Sequence, residues 1–218
     1  IGLVYNTHQD IANLLEWIML AFGQPYAGFS QVALYDAFQR FLIEQYGAGK
    51  RVLLIVDEAQ NLSPTALESL RMLSNINADK DQVIQIILVG QAGLRDTLRR
   101  PDLEQFAQRI AVDYNLEPLN PDETRNYIRH RLQVAGGDPE LFDAAACEVV
   151  YRHSGGTPRL INLLCDTALV YGYAEQATQI HAPLVDDVVH EKLKGGIFPR
   201  VRLATAADTL ARAAWPDP

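Results

Sequence analysis

Val52-Leu53-Leu54-Ile55-Val56-Asp57-Glu58-Ala59-Gln60 is the stretch on which the reading of this chain turns. Five apolar residues in succession, with no polar alternation, have the length and pattern of a strand buried in a parallel sheet. The run stops on two adjacent carboxylates. Open α/β sheets bind ligands beyond the carboxyl ends of their strands, so Asp57 and Glu58 are expected at such an edge. Taken alone, an acidic pair that merely begins a solvated loop would look the same, and its neighbours must separate the two readings.

Working outward, Gly2 to Asn6 and Val83 to Val89 read as further apolar strands, and Arg109 to Leu116 as a fourth. Asp10 to Phe22 has a helical stripe of Ile11, Leu14, Leu15 and Ile18. After a loop from Gly23 to Ser30, a second stripe of Leu34, Tyr35, Phe38, Phe41, Leu42 and Tyr46 is stopped by Gly47 and Gly49. Ser63-Pro64 supplies an N-cap and a first-turn proline for a helix with Leu67, Leu70, Leu73 and Ile76 on one face. Nearly all-apolar strands alternating with helices predict an α/β fold, a parallel sheet covered on both faces. Composition changes at Glu117-Pro118-Leu119-Asn120-Pro121. Beyond it the periodicity predicts helices only, over Asp122 to Val134, Pro139 to His153, Pro158 to Glu175 and Pro183 to Leu193, the last preceded by Thr178-Gln179-Ile180. The expected organisation is an α/β core over 1–119, an all-helical lid over 120–193 and a poorly ordered tail over 194–218.

The 218 residues are 48% hydrophobic and 21% charged, a globular composition. A net charge of −8 opposes unspecific attraction to polyanions and counts against nucleic acid as a partner. Cys147, Cys165 and the five histidines show no metal-ligand spacing. No apolar run approaches the roughly 18 residues needed to span a bilayer, and Ile1-Gly2-Leu3-Val4-Tyr5 lacks the basic start of a signal peptide. A cytoplasmic location is expected. The chain opens within a strand-like run and without Met, so residues are expected upstream of Ile1.

An apolar strand ending in Asp-Glu is the Walker B pattern, which works beside a phosphate-binding loop G-x-x-x-x-G-K-[ST]. These 218 residues contain no such loop. Gly47-Ala48-Gly49-Lys50-Arg51 fails as one: position 44 is Glu44, Arg51 stands where Mg²⁺ would need Ser or Thr, and the segment precedes a strand. It reads as a helix C-cap and turn. Phosphoanhydride hydrolysis needs Mg²⁺ held, a water aligned and negative charge neutralised. Asp57 suits the Mg²⁺ hydration shell and Glu58 the water. Gln91, closing Ile87-Leu88-Val89-Gly90-Gln91, would help hold that water if its strand lies beside Val52 to Val56. Arg109 could reach the γ-phosphate of a neighbouring subunit, although Arg99 and Arg100 are equally placed by spacing. Gly155-Gly156-Thr157-Pro158-Arg159 opens a lid helix with Thr157 as N-cap and Pro158 at the first helical position. Arg159 in its first turn opposes the helix dipole at a cost of about 0.3–1 kcal/mol, which an anionic ligand would explain.

In order along the chain, Val52 to Leu62, Ile86 to Leu94, Gln108-Arg109-Ile110 with Leu116-Glu117-Pro118-Leu119, and Gly155 to Asn162 resemble the ExeA/GspA-like branch of AAA+ ATPases, up to about Lys192. The resemblance implies a P-loop NTPase (AAA+) sheet lacking its N-terminal Walker A unit, with that unit upstream of Ile1. It implies ATP and Mg²⁺ as cofactors and an oligomer of like chains. Asp57 and Glu58 become the Walker B pair, Gln91 sensor 1, Arg109 the trans arginine finger and Arg159 sensor 2. It further implies a bacterial secretion or export membrane assembly as partner, and so a place in the cytoplasm or peripherally at the inner membrane. Related ATPases accompany exosortase and exopolysaccharide export systems, which Glu191 to Pro199 resembles. By the same logic the 218 residues alone are expected to be inactive. Two alternatives stand beside this reading. One is a DNA-associated AAA+ regulator of the transposition type, for which Arg125, Arg129, His130 and Arg131 give some basic character and the overall acidity counts against. The other is a non-hydrolysing interaction module.

Overall fold

The computed structural model describes residues 1–5, 14–78 and 81–195. The start of the first expected helix and nearly all of the tail lie outside the described residues. The chain forms two compact units, Ile1–Tyr114 and a second from Asn115.

In the first unit, strand β1 (Gly2–Val4) precedes helices α1 (Leu14–Ala21) and α2 (Gln31–Gly47). The Ser30 hydroxyl caps α2 by accepting from the Ala33 N–H at 3.3 Å. Strand β2 (Val52–Val56) then leads to a single 3₁₀ turn over Ala59–Asn61 and to helix α3 (Pro64–Ser74). The Ser63-Pro64 signal operates as expected, with Ser63 Oγ accepting from the Ala66 N–H at 3.2 Å. Two-residue strands β3 (Asn77–Ala78) and β4 (Asp81–Gln82) pair antiparallel before strand β5 (Ile84–Leu88) and the short helices α4 (Gly93–Leu98) and α5 (Glu104–Ala107). The main sheet has the order β1-β2-β5, parallel throughout, with Val4 opposite Val56 and Val56 opposite Leu88.

Val4, Val52, Leu54, Val56 and Ile84 enter one core with Leu15, Ile18, Phe38, Leu42, Leu67 and Leu70 of α1 to α3. The second face is less covered than the apolar runs predict: Leu3, Ile87 and Val89 are 49%, 46% and 44% exposed. The fourth strand is corrected outright. Residues 110–120 have no ladder partner, and Val112, Tyr114 and Leu116 are more than four-fifths exposed. Alternating apolar residues make a strand only when backbone groups find a neighbouring strand, and among the described residues none is beside them. An Arg95–Asp113 ion pair at 3.0 Å ties this segment to α4.

The second unit contains helices α6 (Pro121–Val134), α7 (Ala144–Ser154), α8 (Pro158–Ala174) and α9 (Ala182–Lys194). Asn120 and Glu123 form a reciprocal capping box at the start of α6. The sequence pattern expects α7 to begin at Pro139, but Asp143 delays it. Its carboxylate accepts from the Ala146 N–H at 2.6 Å, making it the N-cap, while Phe142 bridges in parallel to Ile180. Ile128, Phe142, Val150, Ile161, Leu164, Ile180, Val185 and Val188 build a separate core against which Leu119 packs. No helix among the described residues is long and apolar enough to cross a membrane.

Candidate active site

The carboxyl end of β2 is held to both neighbours. Asp57 N–H donates to the Val4 carbonyl at 2.8 Å, Val89 N–H to the Val56 carbonyl at 2.8 Å, and Ala59 N–H to the Val89 carbonyl at 2.9 Å. This last bond crosses from the turn after Glu58 to the end of β5. Asp57, Glu58 and the segment leading to Gln91 therefore share one edge of the sheet, because β2 and β5 are adjacent and parallel.

At the turn, Glu58 has φ 53° and ψ 33°, in the left-handed region that residues with a Cβ seldom adopt. That conformation costs about 1–2 kcal/mol for an L-residue, and such departures cluster at functional sites. The Asp57 carboxylate accepts from the Glu58 N–H at 2.8 Å, which helps to hold the bend. The bend turns the chain between the two carboxylates, with Asp57 half-buried and Glu58 exposed.

Gln60 is the residue that sequence reasoning missed. Its Nε2 donates to Glu58 Oε2 at 2.5 Å, and its Oε1 accepts from the Gln91 N–H at 3.0 Å. The contact depends on Gly90, where an added Cβ would lie 2.7 Å from Gln60 Oε1 and 3.2 Å from the Gln60 N. No local spacing signals this, since the bridge joins positions 31 residues apart.

The arginines are placed differently. Arg109 follows α5 in the irregular segment, its N–H bonded to the Phe106 carbonyl at 3.0 Å and its side chain exposed. Arg100 is engaged by Asp102 through two bonds of 3.0 Å. Arg159 belongs to the second unit, exposed in the first turn of α8. Thr157 occupies the N-cap position there without making a side-chain cap bond. The preceding turn is built on two left-handed glycines, Gly155 at φ 56° and Gly156 at φ 72°. Gly156 accepts the Leu119 N–H at 3.0 Å, and a Cβ on it would lie 1.9 Å from the Leu119 carbonyl oxygen.

Asp57 and Glu58 offer the hard oxygen donors that Mg²⁺ takes while keeping several of its waters. A glycine-rich phosphate loop of the form G-x-x-x-x-G-K-[ST] does not occur in these 218 residues. The Gly47–Lys50 turn is indeed a C-cap, since the N–H groups of Ala48, Gly49 and Lys50 are spent on the carbonyls of Glu44, Tyr46 and Gln45.

Residues 3–98 match the AAA domain family, and over 183 residues the chain is 41% identical to general secretion pathway protein A of Aeromonas hydrophila. Residues 3–98 thus carry an AAA domain. That alignment covers 83% of this chain and 33% of the Aeromonas protein, so the chain spans about a third of that relative's length. A second relative, an uncharacterized HTH-type transcriptional regulator of Methanocaldococcus jannaschii, is 24% identical over 65% of the chain and 35% of its own length. Among solved structures, the ORC2 protein of Aeropyrum pernix in ADPNP-ADP complexes matches with a TM-score of 0.63 at 18% identity, over 87% of this chain and 52% of that one. Cdc6p of Pyrobaculum aerophilum matches with a TM-score of 0.57 at 14% identity, over 82% and 50%. At such identities these two establish the AAA-type fold alone: a parallel sheet with helices, followed by a helical region.

Proposed function

We propose that this chain is the greater part of an ATP-hydrolysing AAA+ module that drives a bacterial secretion or export assembly. The observation that supports it best is the pair Asp57-Glu58 at the carboxyl end of β2, with the end of β5 bonded beside it. In this reading Asp57 holds the water shell of Mg²⁺, and Glu58 accepts a proton from the attacking water. Gln91 adds a neutral polar group that orients the same water without competing for its proton. Bound Mg²⁺ neutralises charge that develops on the phosphate oxygens. Arg109 reaches from one copy of the chain toward the site of the next, and Arg159 senses nucleotide from the helical unit. Arginine suits both tasks because its planar guanidinium is always charged and can bond two phosphate oxygens at once.

The phosphate cradle is assigned to a strand and glycine-rich loop outside these 218 residues. The outer edge of β5 is unpaired among the described residues and leaves Ile87 and Val89 nearly half exposed, room for one more parallel strand. The tie to secretion rests on the likeness to general secretion pathway protein A.

The test is ATP turnover by the intact protein carrying this sequence, compared with Glu58→Gln and Arg109→Ala. Glu58→Gln is expected to lower kcat by about 10²-fold or more, the range of a positioned general base, while ATP binding persists. Wild-type rates in both variants would sink the mechanism.

A further inference from the structure

Gln60 bridges the two sides of the sheet edge, and the chemistry of its two ends is asymmetric. A backbone N–H can only donate, so the atom facing Gln91 must be the amide oxygen; an ionised carboxylate can only accept, so the atom facing Glu58 must be the amide nitrogen. Glutamine is the side chain that offers both functions on one planar head at this reach. Methionine has similar length and neither function, and glutamate keeps the acceptor while placing a like charge against Glu58. The bridge is further specified by Gly90, the position at which any larger residue would drive a Cβ into Gln60 Oε1.

We infer that Gln60 is a positioning residue for hydrolysis: by donating to Glu58 Oε2 and accepting from the Gln91 N–H, it fixes the Glu58 carboxylate relative to the end of β5. The inference rests on the proposed ATPase reading. Glu58 sits on a left-handed backbone turn and is exposed. One of its oxygens is tied to an amide whose other end is tied to backbone. The bridge thus gives the water site a fixed distance to both β2 and β5, and a misplacement of about 1 Å can cost of the order of 10²-fold in rate.

The experiment uses the intact protein and five variants. Glu58→Gln is measured first: if it turns over ATP like the parent, or if the parent shows no turnover, the ATPase reading fails and this inference with it. With Glu58→Gln inactive, Gln60→Met is expected to lower kcat by about tenfold or more while KM for ATP stays within about twofold, since the bridge touches the water-activating group and not the nucleotide. Gly90→Ala is expected to give the same drop, and Gln60→Met with Gly90→Ala no more than either alone, because both remove one bridge. Hydrogen exchange separates the two ends. The Gln91 N–H should exchange faster in Gln60→Met but keep its protection in Gln60→Glu, which retains the acceptor, while kcat falls in both. Parental kcat in Gln60→Met or Gln60→Glu, additive losses in the double variant, or a KM that rises in step with the fall in kcat would each overturn the assignment.

Discussion

Replacing Gly156 by alanine should unfold the helical unit more readily than any other single methyl addition to its turns. Three costs coincide there. At φ 72° an L-residue is in left-handed backbone, worth about 1–2 kcal/mol. The new Cβ would lie 1.9 Å from the Leu119 carbonyl oxygen and 2.8 Å from its carbon, and backbone cannot swing aside as a side chain can. Relief of such overpacking typically costs about 1–3 kcal/mol. Moving Leu119 away also stretches its 3.0 Å bond to the Gly156 carbonyl, worth about 0.5–1.5 kcal/mol. Together these destabilise the unit by about 3–6 kcal/mol, against a total of about 5–15 kcal/mol for a typical domain. Gly136→Ala is the control. It has φ 79° and nothing within 4 Å of the added methyl, so it should lose only the backbone part of about 1–2 kcal/mol. Urea unfolding followed by hydrogen exchange in α6 to α9 measures both. Equal losses in the two variants would refute the argument, because backbone conformation alone would then account for the effect.

Two further outcomes concern the same unit. Burial works against the Asp143 carboxylate, but the His181 ring at 2.7 Å and the N–H groups of Ala146 and Ala145 outweigh it and hold its pKa below the usual carboxylate value. A lowered folded-state pKa means stability that is present above about pH 4, the unfolded value, and is lost as pH falls through the folded one. Asp143→Asn keeps an acceptor for the cap and cannot titrate, so its melting temperature should fall less between pH 6 and pH 3 than that of the parent; equal falls would contradict the linkage. Burial likewise pushes the Cys165 thiol up to about 12, leaving about one molecule in 10⁴ as thiolate at pH 8, and thiolate is the reactive form. Iodoacetamide at pH 8 should therefore spare Cys165 in the native protein and label it in urea, read by mass spectrometry. Full native labelling would show the site to be open.

What could be read in advance was whatever the chain encodes locally. Val52 to Val56 carries its strand pattern in five consecutive residues, and Ser63-Pro64 starts α3 by supplying a cap and a preset φ within one dipeptide. The place of Asp57 and Glu58 at the sheet edge was legible because the apolar run stops at Val56. What failed required a partner distant in sequence. Ile110, Val112, Tyr114 and Leu116 alternate as a strand does, yet a strand also needs a neighbour. The start of α7 lies at Ala144 rather than Pro139, with Asp143 as its N-cap and Phe142 held by Ile180, 38 residues further on. Gln60 was invisible for the same reason, its significance residing in a hydrogen bond to Gln91. Local patterns reveal elements and edges; bridges between elements have no local signature.

Glu58 holds a backbone shape for which glycine or asparagine would be the more comfortable occupant. Selection for robustness alone would push this position away from an acid, and selection for turnover would push it back. A library screened only for folding should therefore drift at position 58 toward silent, better-behaved proteins.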